Sequence, residues 1–129
     1  MTNQSLPNPT NGELQILRVL WRRGPSTVRE VLEELEDRRP VGYTTVLKLL
    51  QIMTDKHLVT RDSAARTHVY SAAASEVSTQ RRLVSDLLDR AFDGSARELI
   101  QQALSGRAAT RNELNEIRQL LDDIEKDHS

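Results

Sequence analysis

Cysteine is missing from all 129 positions. Its absence excludes disulfides, thiolate catalysis and every cysteine-based metal or haem site. Aromatic residues are nearly as scarce: Trp21, Tyr43, Tyr70 and Phe92 are the whole set, 3% of the chain. A monomer of this size hides only about two-thirds of the surface its unfolded chain exposes. With so few large rings its own core is thin, and further burial between subunits is expected. No apolar run approaches the roughly 18 residues of a membrane span. The opening MTNQSLPNPTNG is polar, holds two prolines and lacks the charged-then-apolar order of a signal peptide, so a cytoplasmic protein without a membrane partner is expected. His57, His68 and His128 are too scattered for a metal site. No Gly-rich phosphate loop, carboxylate pair or Ser/His/Asp arrangement stands out. The expectation is therefore a non-enzyme with no catalytic residue, no metal and no cofactor.

What the chain does have is charge, 29% of its residues, in near balance at −1 overall. That balance alone argues against a nucleic-acid binder, but the distribution is uneven. Residues 1–75 hold ten Lys/Arg against eight Asp/Glu, whereas residues 76–129 hold eight against eleven. The tract 43–70 carries Lys48, Lys56, Arg61 and Arg66 against Asp55 and Asp62, with His57 and His68 besides. A mildly basic front and an acidic rear fit a DNA-reading domain joined to an assembly domain.

Four pairs, Thr10/Glu13, Thr27/Glu30, Ser95/Glu98 and Thr110/Glu113, have the capping-box spacing in which both side chains satisfy free amides at a helix start. The first opens a helix over about 11–22, with Leu14, Leu17, Leu20 and Trp21 at helical spacing, stopped by Gly24-Pro25. The second opens about 28–37, with Val28, Val31, Leu32 and Leu35 on one face, ended by Asp37-Arg38-Arg39-Pro40. A third helix runs from Tyr43 or Thr44 to about Lys56, with Val46, Leu49, Leu50 and Met53 inward. Two short strands are expected at about 58–62 and 67–71, joined by a small polar tip, Ser63-Ala64-Ala65-Arg66. Helix, helix, helix, hairpin is the order of a winged helix-turn-helix.

After Ala74 the pattern turns wholly helical. Ser75 caps a helix of about 76–91 with Val77, Val84, Leu87, Leu88 and Ala91 inside, and Gly94 follows as a left-handed C-cap. A short helix of about 96–104 presents Leu99, Ile100 and Leu104 and closes at Gly106. The last helix, about 111–127, places Leu114, Ile117, Leu121 and Ile124 in a two-heptad seam. Such a seam serves either an intramolecular core or a dimer. The little apolar material beyond residue 75 favours the dimer. The fold class expected is thus mainly α: a flexible arm at 1–9, a winged-helix DNA-binding domain at 10–74, and a three-helix dimerisation domain at 75–129.

A helix reads the major groove with its N-terminal residues. On the third helix those are Tyr43, Thr44 and Thr45, followed by Lys48 and Gln51 on the face away from the apolar stripe. Thr hydroxyls bond bases or phosphates, Lys reaches guanine acceptors, and Gln pairs with adenine. The plainer alternative makes Thr44 a helix cap and Lys48 and Gln51 solvated surface. Arg66 at the hairpin tip and His68 in the second strand sit where a wing passes a phosphate or the minor groove.

Six stretches in order give the chain a resemblance: GELQILRVLW, PSTVREVLEEL, YTTVLKLLQIMTDKHLV, RTHVY, FDGSARELI and ELNEIRQLLDDIE. Together they resemble the penicillinase repressor (BlaI/MecI-type) family of bacterial transcriptional regulators, over about residues 11–126. The resemblance implies a homodimeric repressor that binds an inverted-repeat operator in double-stranded DNA. It places the DNA contacts on Thr44, Thr45, Lys48, Arg66 and His68. It also implies an upstream sensor or protease, because well-known members are cleaved at an Asn-Phe bond in the rear domain. Here that place reads Gln102-Ala103, within ELIQQALSG. A copper-sensing branch uses C-terminal cysteines, which this chain lacks. The main rival reading is a winged-helix module that binds protein, for which Tyr43, Leu47 and Ile52 on the third helix give a foothold. A ligand-binding winged-helix repressor is another, although the rear helices are short for a roomy pocket.

Overall fold

Helix starts in this chain are set by short-range chemistry. A computed structural model describes residues 8–36, 41–64, 66–106 and 109–128. Within them run α1 (Asn11–Arg23), α2 (Val28–Glu36), α3 (Tyr43–Asp55), β1 (Val59–Asp62), β2 (Val69–Ala72), α4 (Glu76–Ala91), α5 (Ala96–Ser105) and α6 (Arg111–Asp127). The order is the one expected, mainly helical with a single antiparallel hairpin. The expected stop at residues 37–40, Ala65 of the hairpin tip and residues 1–7 of the expected arm lie outside the described residues.

At α1 the box is complete: the Thr10 hydroxyl accepts the Glu13 amide at 3.3 Å, and the Glu13 carboxylate accepts the Thr10 amide at 2.9 Å. Thr27 and Glu30 repeat the exchange at α2, at 3.2 and 2.9 Å. The rear pairs are half boxes. Ser95 and Thr110 accept the amides of Glu98 and Glu113 at 3.1 and 3.0 Å, but the carboxylates do not return the bond. Glu98 and Glu113 are exposed, so water competes for their oxygens, and no neighbouring side chain holds them in place. Ser75 caps α4 as expected, accepting the Ser78 amide at 3.1 Å.

Three turns among the described residues need backbone that few residues adopt. After α4, Asp93 and Gly94 stand at φ 51° and 81°, Gly94 being the left-handed residue expected there. Gly24 ends α1 at φ 94° while its amide bonds the Leu20 carbonyl at 2.8 Å. α3 ends differently. His57 sits at φ 65°, its amide on the Thr54 carbonyl at 3.1 Å, with the Leu58 amide on Met53 at 2.9 Å. That pair of bonds is a Schellman turn, normally closed by glycine.

The chain forms two compact units, the first ending at Val84 and the second beginning at Ser85, so the division falls within α4. The core of the first unit joins Ile16, Leu17, Val19 and Leu20 of α1 to the whole expected face of α2. Val46, Leu50 and Met53 of α3, with Leu58, Val59 and Tyr70 at the hairpin root, complete it. Burying each such aliphatic side chain stabilises by about 1.5–3 kcal/mol. Tyr70 also pairs with Ser26 as a short antiparallel bridge, by mutual amide–carbonyl bonds of 2.8 and 2.9 Å. The Trp21 indole donates to the Ala74 carbonyl at 2.9 Å.

Two expectations are corrected. His68 precedes β2 rather than lying in it, because the strand opens only at Val69, opposite Asp62. The α4 stripe is not inside: Val77, Val84 and Leu87 are exposed, Ala91 is exposed too, and the residue α4 buries is Thr79. No described residue beyond Thr79 is buried. Leu114 and Ile117 are half-buried, whereas Leu121 is 50% and Ile124 44% exposed.

Candidate nucleic-acid interface

The outer face of α3 follows from its inner one. Val46, Leu50 and Met53 are fully buried, and the helical period then turns Thr44, Thr45, Lys48 and Gln51 outward, where all four are exposed. The N-cap of α3 is Gly42, with no side-chain cap. Thr44 therefore lies inside the helix, and the cap explanation for it is removed. The first-turn amides stay open to an outside acceptor, and the positive end of the helix dipole lies beside them.

Tyr43, Arg66 and His68 come together. They line a groove of about 690 Å³ between α2, the start of α3 and the wing, with Thr27, Val28, Arg29, Glu30, Glu33, Leu47, Thr67 and Tyr70. Thr44, Thr45, Lys48 and Gln51 do not line it; they continue along α3 as its exposed polar face. Arg29 was invisible to sequence patterning, since it is one cation among several polar residues on α2. Its guanidinium carbon stands 5.6 Å from the centre of the Tyr43 ring.

Charges inside the first unit sort into paired and open. Arg23 binds Glu30 and Glu34 at 3.1 and 3.4 Å. Hydrogen bonds from the Thr27 backbone and from Arg23 outweigh a smaller desolvation effect and lower the Glu30 pKa. Lys56, counted with the basic tract, belongs to the scaffold: its Nζ donates to Glu13 Oε2 at 2.8 Å across 43 residues of sequence. Glu13 is 1% exposed. Burial pushes its pKa up, but the bonds from Lys56 and Thr10 outweigh burial and hold the carboxyl below its ordinary range. Among the described residues Arg29, Lys48, Arg66 and His68 have no acidic partner.

Among the described residues no group of three or more His, Asp or Glu side chains could hold a metal ion. No helix there is long and apolar enough to cross a membrane.

Known proteins share this fold. A solved structure of the DNA-binding domain of the repressor BlaI matches with a TM-score of 0.50 at 22% identity, covering 55% of this chain and 87% of that domain. The complex structure of hsRosR-S4 matches over 98% of this chain and 97% of its own, with a TM-score of 0.54 at 18% identity. Both likenesses speak for the fold. In sequence, the transcriptional regulator BlaI of Mycobacterium tuberculosis is 32% identical over 117 residues, 90% of this chain and 84% of the relative. The penicillinase repressor of Bacillus licheniformis is 21% identical over 120 residues, 93% and 94% of the two chains. The model of the penicillinase repressor family spans residues 9–123. With the match running through winged helix and rear helices alike, the chain belongs to the penicillinase repressor family and is a transcriptional regulator, not an enzyme.

Proposed function

We propose that two copies of this chain bind an inverted-repeat operator in double-stranded DNA and repress transcription from it. The observation that carries this reading is the exposed polar face of α3, Thr44, Thr45, Lys48 and Gln51, beside a groove edged by Arg66 and His68. In this reading the α3 face enters the major groove and the wing rests on the backbone. Residues 10–74 are the reader and residues 75–129 the assembly domain, in the cytoplasm.

The partner of the second unit is a second copy. Leu114, Ile117, Leu121 and Ile124 recur at heptad spacing, and none is buried by the chain itself. Apolar surface of that extent marks an association site. Each reader alone makes few phosphate contacts, so its binding is weak and salt-dependent. Joining two readers makes the second half-site nearly intramolecular, which adds a factor of roughly 10²–10⁴. The half-sites then lie about 34–36 Å, one DNA turn, or a multiple of it apart. Phe92, the only phenylalanine, follows Ala91, so the chain has no Asn-Phe bond. Whatever opens the α6 seam would release DNA without touching the readers.

The test is fluorescence anisotropy with short duplexes tiling the DNA upstream of the gene, at two salt concentrations. A duplex with an inverted repeat should win by about a thousandfold or more. Uniformly weak binding to every duplex would instead favour a protein partner on α3, where Tyr43 and Ile52 are exposed.

A further inference from the structure

We infer that Arg29, on α2, grips a DNA phosphate from the far side of the groove, with the Tyr43 ring as the platform that aims it. This rests on the DNA-binding reading above and extends it to a residue outside both the α3 face and the wing. The groove is lined by an arginine from each side, Arg29 of α2 and Arg66 of the wing, with His68 also lining it. None of the three has an acidic partner among the described residues. An anion held between the two arginines offsets their like charge.

The choice of partner made by Arg29 is the second line of argument. Glu33 stands one turn further along the same helix and also lines the groove, at the spacing where opposite charges commonly pair. Arg29 and Glu33 nevertheless form no ion pair within 4.0 Å, and the guanidinium stands over Tyr43 instead, 5.6 Å from the ring centre. Stacking on a ring face leaves the edge N–H groups of a guanidinium free, and that planar fork suits a phosphate. An ion pair with Glu33 would have occupied them. Glu33, exposed on the same rim, keeps the groove from becoming indiscriminately basic. The volume of about 690 Å³ has room for a phosphate group, and hydroxyls at Thr27 and Thr67 supply neutral donors beside the charges.

The experiment is an anisotropy titration of the full chain against a fluorescein-labelled duplex of random sequence and against the best upstream duplex, over a salt series. Arg29→Gln should weaken both duplexes alike, by about five- to tenfold, and lower the slope of log affinity against log salt by about 0.9 for each protomer's lost contact. Tyr43→Ala should produce much the same loss, and the double variant little more. Tyr43→Phe, which keeps the ring, should retain the full salt slope. Circular dichroism melts establish that each variant is folded. Wild-type affinity and slope in folded Arg29→Gln, while wild-type itself binds DNA, would overturn this assignment and leave the DNA-binding reading intact. Failure of wild-type to bind either duplex would overturn both.

Discussion

The two units of this chain solve the problem of burial in opposite ways. The first fills its interior with aliphatic side chains from three helices and a hairpin root, and seals its first two helix starts with reciprocal bonds. The second buries none of its described residues and carries half boxes at both of its later helix starts. Yet α6 carries Leu114, Ile117, Leu121 and Ile124 in an unbroken heptad repeat. That uncovered repeat is the face the proposed dimer would close. In the proposed reading, folding and assembly are separate tasks, assigned to separate stretches of sequence.

Breaking the second unit should have the largest effect. Leu121→Asp places a charge in the proposed seam. Sedimentation should show a monomer, and operator affinity should fall about a hundredfold or more as the intramolecular advantage is lost. Melting of the first unit should be unchanged. A variant that still sediments as a dimer would remove α6 from the interface. Leu50→Ala is the reciprocal experiment. It empties space at a fully buried position of α3 and should cost about 2–5 kcal/mol in chemical denaturation. Loss of dimerisation in folded Leu50→Ala would show the two tasks to be coupled after all.

A smaller effect is expected at the bond between α1 and α3. Lys56→Met strands the buried Glu13 carboxylate, at a cost of about 2–3 kcal/mol. The figure lies at or below the low end for buried pairs because Lys56 itself is 31% exposed. The pH dependence has a definite sign. The folded carboxyl titrates below its unfolded value, so its contribution is complete above the ordinary glutamate range and disappears as acid reaches the lowered folded value. Stability of the wild-type chain should therefore rise with pH across that acidic window, and Glu13→Gln should flatten the rise. An equally steep acid limb in Glu13→Gln would place the titration elsewhere. The smallest effect is a gain. His57→Gly relieves a left-handed backbone position and should stabilise the first unit by about 1 kcal/mol, read from thermal melts. A loss of stability would mean that the imidazole makes contacts worth more than the strain.

Much of this architecture was legible because the signals that set it are local. Thr10/Glu13 and Thr27/Glu30 lie within one helical turn, and the stripes of α2 and α3 repeat at the helical period, so residue order alone declares them. The outward face of α3 follows by subtraction once Val46, Leu50 and Met53 are assigned inward. What could not be read depends on groups far apart in the chain. Glu13 and Lys56 meet only because α1 and the end of α3 pack together. Arg29 and Tyr43 meet only after α2 and α3 have folded on each other. The α4 stripe was misread for a related reason: periodicity shows that a face is apolar without showing what covers it. His68 fell outside β2 because the strand's pairing opens at Val69 with Asp62, a register that Val/Thr content does not encode.

The bridge between Ser26 and Tyr70 has a consequence for how this protein can vary. It ties the root of the hairpin to the residue that precedes the cap of α2, so the wing hangs from two anchors instead of one. Among the described residues beyond that root, Arg66 and His68 lie outside both strands. Substituting them should change what the wing touches in the proposed complex without changing where the hairpin root is held.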